Sequence, residues 1–202
     1  MPATEPVSVA GVVLAAGSST RMGRNKLLLD LDGETMVRRA VRQAVEATLS
    51  PVVVVLGHEA DRVRDELAGL PCRPVVNAEH ALGAGASLRV GVREVGDAAA
   101  LVLSLADMPF VTASMLASLV ARYRESGARL VMSRYGDVEA PPHLFDRSLF
   151  EELLAGPDDR CAKPVIRRYM QEAAVAAWAA AALQDVDLAG DYEQVRAQLS
   201  RP

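Results

Sequence analysis

Three observations in the sequence predict an α/β fold with a mostly parallel central sheet. Short apolar runs alternate with helical patterns along the 202-residue chain, which is the order in which strand–helix–strand units assemble. One run, Val52–Leu56, reads VVVVL, the pattern of a strand covered on both faces. The first run, Val7–Leu14, passes directly into a loop rich in glycine, hydroxyl and basic residues. A strand delivering such a loop suggests a nucleotide-phosphate site.

The elements follow in order. The first strand covers Val7–Leu14. A helix is expected over Thr35–Thr48, where Met36, Val37, Ala40, Val41, Ala44 and Val45 recur at helical spacing. Pro51 introduces the strand Val52–Leu56, a short helix spans Ala60–Leu67, and Arg73–Asn77 reads as a third strand. Gly83 and Gly85 precede a helix over Ser87–Val95. The strand Ala99–Leu105 ends in Ala106-Asp107-Met108-Pro109, where proline stops ladder pairing. Thr112 is placed to cap a helix running to Glu125, and Gly127 sits where its C-cap belongs. Arg129–Ser133 reads as a strand, and the segment with Gly136, Pro141 and Pro142 as a loop. Helices are expected at Arg147–Ala155, Pro164–Glu172 and Tyr192–Leu199. Ala173–Leu183 suits a helix by its alanines and a strand by its length and its place before Asp185. No repeat or long linker divides the chain, so residues 1–202 read as one domain.

Bulk properties narrow the function classes. Half of the residues are hydrophobic and 24% are charged, while aromatics make up 4%, so the core is built mainly from Val, Leu and Ala. The net charge of −4 comes from interleaved acids and bases, which does not form a nucleic-acid-binding face. No apolar run reaches the length of a membrane span. The N-terminal MPATEPVSVA has no basic segment before an apolar one, which points to a cytoplasmic protein. Cys72 and Cys161 are then expected as free thiols. His58, His80 and His143 lack metal-ligand spacing and are expected as exposed or core-satisfied imidazoles. Trp178 is expected to serve packing, and no G-x-S-x-G elbow is present.

The chemistry concentrates in LAAGSSTRMGRNK, Leu14–Lys26. Glycines let backbone N–H groups approach an anion, arginine grips phosphate with two parallel hydrogen bonds, and lysine adds a movable charge. A solvated basic turn is the bland alternative. The loop is not a Walker loop, because the sixth position from Gly17 is Met22. Nor is it a dinucleotide fingerprint, because Ser19 stands where the middle glycine belongs. Asp107 lies just past the carboxyl end of an apolar strand, where ligands of open α/β sheets gather. Taken alone it suits a divalent-cation ligand or a capping aspartate equally. Asp185 and Asp187, at i and i+2, would project to one face of an extended segment. They otherwise read as an acidic turn.

Together these segments resemble the nucleotidyltransferases related to molybdenum cofactor cytidylyltransferase. Their signature LAAG-x-S-x-RMG-x-x-K is matched at Leu14, Ala15, Ala16, Gly17, Ser19, Arg21, Met22, Gly23 and Lys26. Their D-M-P motif appears as Asp107-Met108-Pro109. Their G-x-S-x-S-L-x-x-G element is matched at Gly83, Ser87, Leu88 and Gly91, with Gly85 in place of a serine. The acids of a D-I-D-T-P-E-D-Y pattern are kept at Asp185, Asp187 and Asp191, without its T-P-E centre. Two segments depart further. A G-x-P-x-L-F element reads Ala140-Pro141-Pro142-His143-Leu144-Phe145. A G-D-x-G-A-R element reads as Asp159-Arg160-Cys161-Ala162-Lys163, its second glycine and its arginine replaced.

The resemblance implies a three-layer α/β/α nucleotidyltransferase fold. It implies that Leu14, Ala15, Ala16, Gly17, Ser19, Gly83 and Ser87 bind the nucleotide, and that Arg21 and Lys26 hold its triphosphate. It assigns catalytic roles to Arg21, Lys26 and Asp107, with Mg2+ on Asp107 and Asp185. The pair Ala15-Ala16 is similar to the cytidylyl form, guanylyl enzymes carrying a second glycine. The implied substrates are CTP and the phosphate of molybdopterin cofactor, with docking to a molybdoenzyme that receives the product. The alternatives are another phosphorylated acceptor (a sugar phosphate, phosphocholine or an isoprenoid precursor), a guanylyltransferase, or a nucleotide-binding protein without catalysis.

Overall fold

The computed structural model of the protein describes residues 8–18, 23–184 and 189–199. Strand β1 (Val9–Ala15) is buried along its whole length, and so is β4 (Val52–Leu56). Such strands are stable only where helices cover both faces of the sheet. β1 lies at the centre, parallel to β4 on one side and to β6 (Ala100–Leu105) on the other. β5 (Arg73–Val76) extends this parallel half beside β4. Beyond β6 the direction reverses. β9 (His143–Asp146) runs antiparallel to β6 and to β7 (Leu130–Tyr135). β10 (Ala174–Trp178) lies parallel to β7, and the short β8 (Val138–Glu139) folds back on it. The resulting order is β10-β7-β9-β6-β1-β4-β5, with a separate two-stranded hairpin of β2 (Asp30–Leu31) and β3 (Glu34–Thr35).

The side-chain alternation of the central strands divides the apolar residues into two cores. Val9, Val13 and Ala15 of β1 point into a core shared with α1 (Met36–Glu46), α2 (Ala60–Asp65), α4 (Ala113–Ser126) and α7 (Ala189–Leu199). Ala10, Val12 and Leu14 point into a second core with α3 (Ala84–Glu94), α5 (Phe150–Leu154) and α6 (Lys163–Tyr169). The protein is therefore a three-layer α/β/α molecule with a mostly parallel sheet, as expected. Thr112 caps α4 by accepting from the Met115 N–H at 3.3 Å, and Gly127 ends it in a left-handed turn. Both cysteines are free, and burial pushes both thiols up, away from the reactive thiolate form. Among the described residues no helix is long and apolar enough to cross a membrane.

The sequence reading differs from the structure in several places. β9 occupies a stretch read as the end of a loop, because Pro141 and Pro142 remove two ladder donors just before it. Side chains repair the gap. The Ser133 N–H donates to His143 Nδ1 at 3.3 Å and the Ser133 hydroxyl donates to the Pro142 carbonyl at 2.6 Å. The ambiguous Ala173–Leu183 divides into β10 and a 3-10 turn, Ala180–Ala182. There the pairing with β7 outweighs the helix preference of alanine. The helix expected from Ser87 begins at Ala84, and the hairpin of β2 and β3 was not foreseen because each strand has only two residues.

Helix α3 approaches β1 closely through Gly91. A Cβ there would lie 2.4 Å from Val12 Cγ1 and 3.2 Å from Val55 Cγ2, both on stiff β-branched side chains in the buried sheet. Gly91→Ala is expected to lower stability by about 1–3 kcal/mol through overpacking. That outweighs the gain in helix propensity of up to about 1 kcal/mol. Urea unfolding of the two proteins measures the difference.

Candidate active site

The carboxyl ends of β1, β4 and β6 meet at one edge of the sheet. Pairing of β1 with β6 continues one step past the ladder, as the Ala106 N–H donates to the Leu14 carbonyl at 3.0 Å. On the other side the His58 N–H reaches the Ala16 carbonyl at 3.4 Å. The chain after Ala15 thus leaves the sheet held from both flanks, and Asp107 follows one residue beyond the β6 contact. The Asp107 segment is itself anchored, because Arg39 Nε of α1 donates to the Pro109 carbonyl at 3.0 Å.

Lys26 comes to the same place by a different route. Asn25 is buried and its side-chain oxygen accepts from the Leu27 N–H at 3.1 Å, which caps the 3-10 turn Lys26–Leu28. That turn puts Lys26 Nζ 2.7 Å from Asp107 Oδ2, with side chains only 12% and 23% exposed. Partial exclusion of water strengthens this ion pair relative to a surface pair.

Beside the pair opens a cavity of about 460 Å3 lined by Leu14, Ala15, Ala16, Gly17, Ser18, Lys26, Leu27, His80, Ala81, Gly83, Ala84, Ser87, Leu105 and Asp107. Its size is that of a small-ligand site. Leu14, Leu27 and Leu105 give it apolar walls suited to a flat ring. Backbone groups of residues 15–17, the Ser87 hydroxyl, and the Lys26 and Asp107 charges supply the polar contacts. Of the residues singled out in the sequence, the structure brings together Leu14, Ala15, Ala16, Gly17, Lys26, Gly83, Ser87 and Asp107. Ser19, Arg21, Asp185 and Asp187 lie outside the described residues.

Other contributors escaped the sequence reading. His80 is neither fully exposed nor sealed in the core: it is half-buried and forms part of the cavity wall. Gly57 follows β4 where a Cβ would come within 2.6 Å of the Ala16 carbonyl oxygen and 2.7 Å of His80. Only glycine lets these three segments converge, and a glycine right after VVVVL was the available signal. Gly85 has a similar reason. A Cβ there would stand 2.1 Å from the Pro157 carbonyl oxygen, and its own N–H donates to the Asp158 carbonyl at 2.7 Å. Arg89 of α3 holds the same loop, donating to the Gly156 carbonyl at 2.8 Å and pairing with the Asp158 carboxylate. The loop at 156–158 therefore fills the space that a serine at position 85 would need.

A family model described as the MobA-like NTP transferase domain matches residues 11–195. The chain belongs to this family. It is 30% identical over 203 residues to the purine catabolism protein PucB of Bacillus subtilis, covering 94% of this chain and 97% of that protein. It is 36% identical to the bifunctional protein GlmU of Anaeromyxobacter dehalogenans over 70% of this chain but only 30% of that longer protein. Among solved structures, Rv0371c of Mycobacterium tuberculosis superposes with a TM-score of 0.85 at 28% identity, covering 96% of this chain and all of that one. The protein is thus a MobA-like nucleotidyltransferase, and the cavity at the carboxyl edge of its sheet is lined by Leu14, Ala15, Ala16, Gly17, Lys26 and Asp107.

Asp107 offers the hard oxygen donor that a divalent ion of this family requires. A cationic group, the Lys26 ammonium, already sits against that carboxylate, so the position suits positive charge. Among the described residues no group of three or more His, Cys, Asp or Glu side chains forms a metal cage.

His143, the residue after the second proline, lies at the amino end of β9 and pairs with Leu103 of β6. It is buried, edge-on to Phe145 with ring centroids 6.4 Å apart, and burial lowers its pKa to about 4. The neutral ring accepts from Ser133 at Nδ1, so its proton resides on Nε2. Because the unfolded chain binds this proton below pH 6.5 and the folded one only near pH 4, His143 lowers stability as pH falls through that window. His143→Asn keeps an acceptor for Ser133 without the titration. It is expected to remove on the order of 3 kcal/mol of the stability loss between pH 7 and pH 4, read by urea unfolding across that range.

Proposed function

We propose that this nucleotidyltransferase moves CMP from CTP to the phosphate of molybdopterin cofactor and releases pyrophosphate, with Mg2+ as the ion. The observation that carries the reading is the meeting of Lys26 and Asp107 at 2.7 Å on the rim of a cavity floored by Leu14–Gly17. It unites the cation and the carboxylate that polyphosphate chemistry needs. The match of the signature to the cytidylyl form, with Ala15 and Ala16 both on the cavity wall, supports a pyrimidine nucleotide. A divalent ion is supported by the structure of Rv0371c in complex with manganese, which is 28% identical with a TM-score of 0.81.

The residues act by holding and neutralising. The backbone of Ala15–Gly17 seats base and ribose. Lys26, joined by Arg21, grips the triphosphate, and in doing so its ammonium exchanges the Asp107 carboxylate for phosphate oxygens. Asp107, with Asp185, would hold Mg2+, which would supply neutralisation of the polyphosphate charge. An oxygen of the acceptor's phosphate attacks the α-phosphorus, the bond to the bridging oxygen breaks, and pyrophosphate leaves in line. Both reactants are anionic and no protein nucleophile is required, so alignment and charge screening provide the rate gain.

A second acceptor class is favoured by one observation. The departures at Ala140, His143 and Asp159–Lys163 lie where the resemblance implies acceptor recognition. The reading there is a different phosphorylated small molecule with the same nucleotide chemistry.

The deciding experiment measures pyrophosphate release with each NTP, Mg2+ and each acceptor. Release with CTP and molybdopterin cofactor alone is the expected result. Release with GTP instead, or with a sugar phosphate, identifies the alternative. Nucleotide binding without release under every condition refutes catalysis. Asp107→Ala is expected to abolish turnover. Lys26→Ala is expected to cost about 2–4 kcal/mol of transition-state stabilisation, as loss of one preorganised electrostatic donor does, measured as kcat/KM for CTP.

A further inference from the structure

Ser87, which lines the cavity, is not independent of its surroundings. Its Oγ accepts a hydrogen bond from Asn77 Nδ2 at 3.1 Å, and both residues are buried, at 3% and 4% exposure. Asn77 is fixed from several directions. Its N–H donates to the Leu56 carbonyl at the end of β4 (2.8 Å), and its carbonyl accepts from the His80 N–H (3.3 Å). Its side-chain oxygen accepts from the Glu79 N–H at 3.0 Å, a turn that asparagine forms readily. A backbone N–H can only donate, so the oxygen of the carboxamide must face Glu79 and the NH2 must face Ser87. The polarity of the contact follows. Ser87 is the acceptor toward Asn77, and among the described residues it donates to none. Its proton is left for the cavity, and accepting from the amide strengthens its capacity to donate.

We propose that Asn77 is a positioning residue that makes Ser87 a hydrogen-bond donor to the nucleobase, so that the cavity selects a ring edge presenting an acceptor atom. The inference rests on the nucleotidyl-transfer reading and adds a determinant of base recognition that does not itself line the cavity. Asn77→Asp reverses the polarity at nearly constant shape. The carboxylate still accepts from Glu79 but cannot donate, so the Ser87 proton turns to it and only lone pairs face the base. Asn77→Ser keeps a shorter version of the turn, buries no charge and cannot reach Ser87.

The test titrates CTP in magnesium buffer by calorimetry into the wild type, Asn77→Asp, Asn77→Ser, Ser87→Ala and the two double variants. Each single variant is expected to weaken CTP binding by up to about tenfold, the range of one neutral hydrogen bond. KM for CTP should rise in step while kcat falls much less. Each double variant should bind no more weakly than Ser87→Ala alone, because both changes act through one hydroxyl. Additive losses in the double variants, or Asn77 variants that bind CTP as the wild type does, overturn the proposal. Should Asn77→Asp fail to fold, the cycle built on Asn77→Ser decides. A wild type that binds none of CTP, UTP, GTP and ATP overturns the nucleotidyl-transfer reading and this inference with it. A wild type that binds CTP while its Asn77 variants are unaffected overturns this inference alone.

Discussion

The site depends on the parallel pairing of β1 with β6. From Val9↔Ala100 to Leu14↔Leu105 the two strands advance in step, and the contact from the Ala106 N–H to the Leu14 carbonyl keeps them together one residue longer. Parallel strands end on the same side, so the signature loop and the Asp107 loop emerge as neighbours although about 80 residues separate them in sequence. A shift of one residue would turn the chain after Leu14 to the other face of the sheet. Burial prevents that shift: Val12 and Val13 are fully enclosed on opposite faces, and exchanging them would disrupt both cores at once.

On that frame the electrostatics are local and economical. The Lys26 ammonium and the Asp107 carboxylate hold each other where water is largely excluded. Neither charge is left uncompensated, which would be costly in a partly buried setting. The supports come from outside the cavity. Arg39 ties the Pro109 carbonyl to α1. Glu34, kept charged chiefly by its hydrogen bond from Arg42, also pairs with Arg39. The Gln43 side chain accepts from the Ala113 N–H at 2.6 Å. Helix α1 thus fixes the far side of the Asp107 loop, while Asn25 fixes the turn that carries Lys26. The two charges meet because two independent sets of hydrogen bonds hold their backbones.

Legibility in the sequence followed the range of the interactions. VVVVL and the Thr112 and Gly127 caps are local signals, and each appeared where it was read. Gly57, His80 and Asn77 carry their meaning only through partners distant in sequence: the Ala16 carbonyl, the cavity wall and the Ser87 hydroxyl. β9 was hidden for a related reason. A strand that follows two prolines lacks ladder donors there, and the Ser133 N–H and the Pro142 carbonyl are satisfied by side chains, the His143 imidazole and the Ser133 hydroxyl. Arg21 and Asp185, the remaining partners expected from the motif, fall outside the described residues.

The two halves of the sheet are under different constraints. In the parallel half, the residues around the cavity are held by close backbone approaches, at Gly57 against Ala16 and at Gly91 against Val12. Such positions tolerate few side chains, which is a physical reason for the motif to be intact there. In the other half, β9 runs opposite to β6 and so presents its amino end, Pro141 to His143, at the edge where β6 presents its carboxyl end. Recognition on that side is built from a loop and from side chains that can be exchanged if a neighbour compensates. The imidazole of His143, which accepts from the Ser133 N–H of β7, is one such compensation. Pro141, Pro142 and His143 do not line the cavity, and exchanges among them leave the Lys26–Asp107 pair where it is. A sheet arranged in this way can vary in its antiparallel half while the geometry at the carboxyl ends of β1 and β6 stays the same.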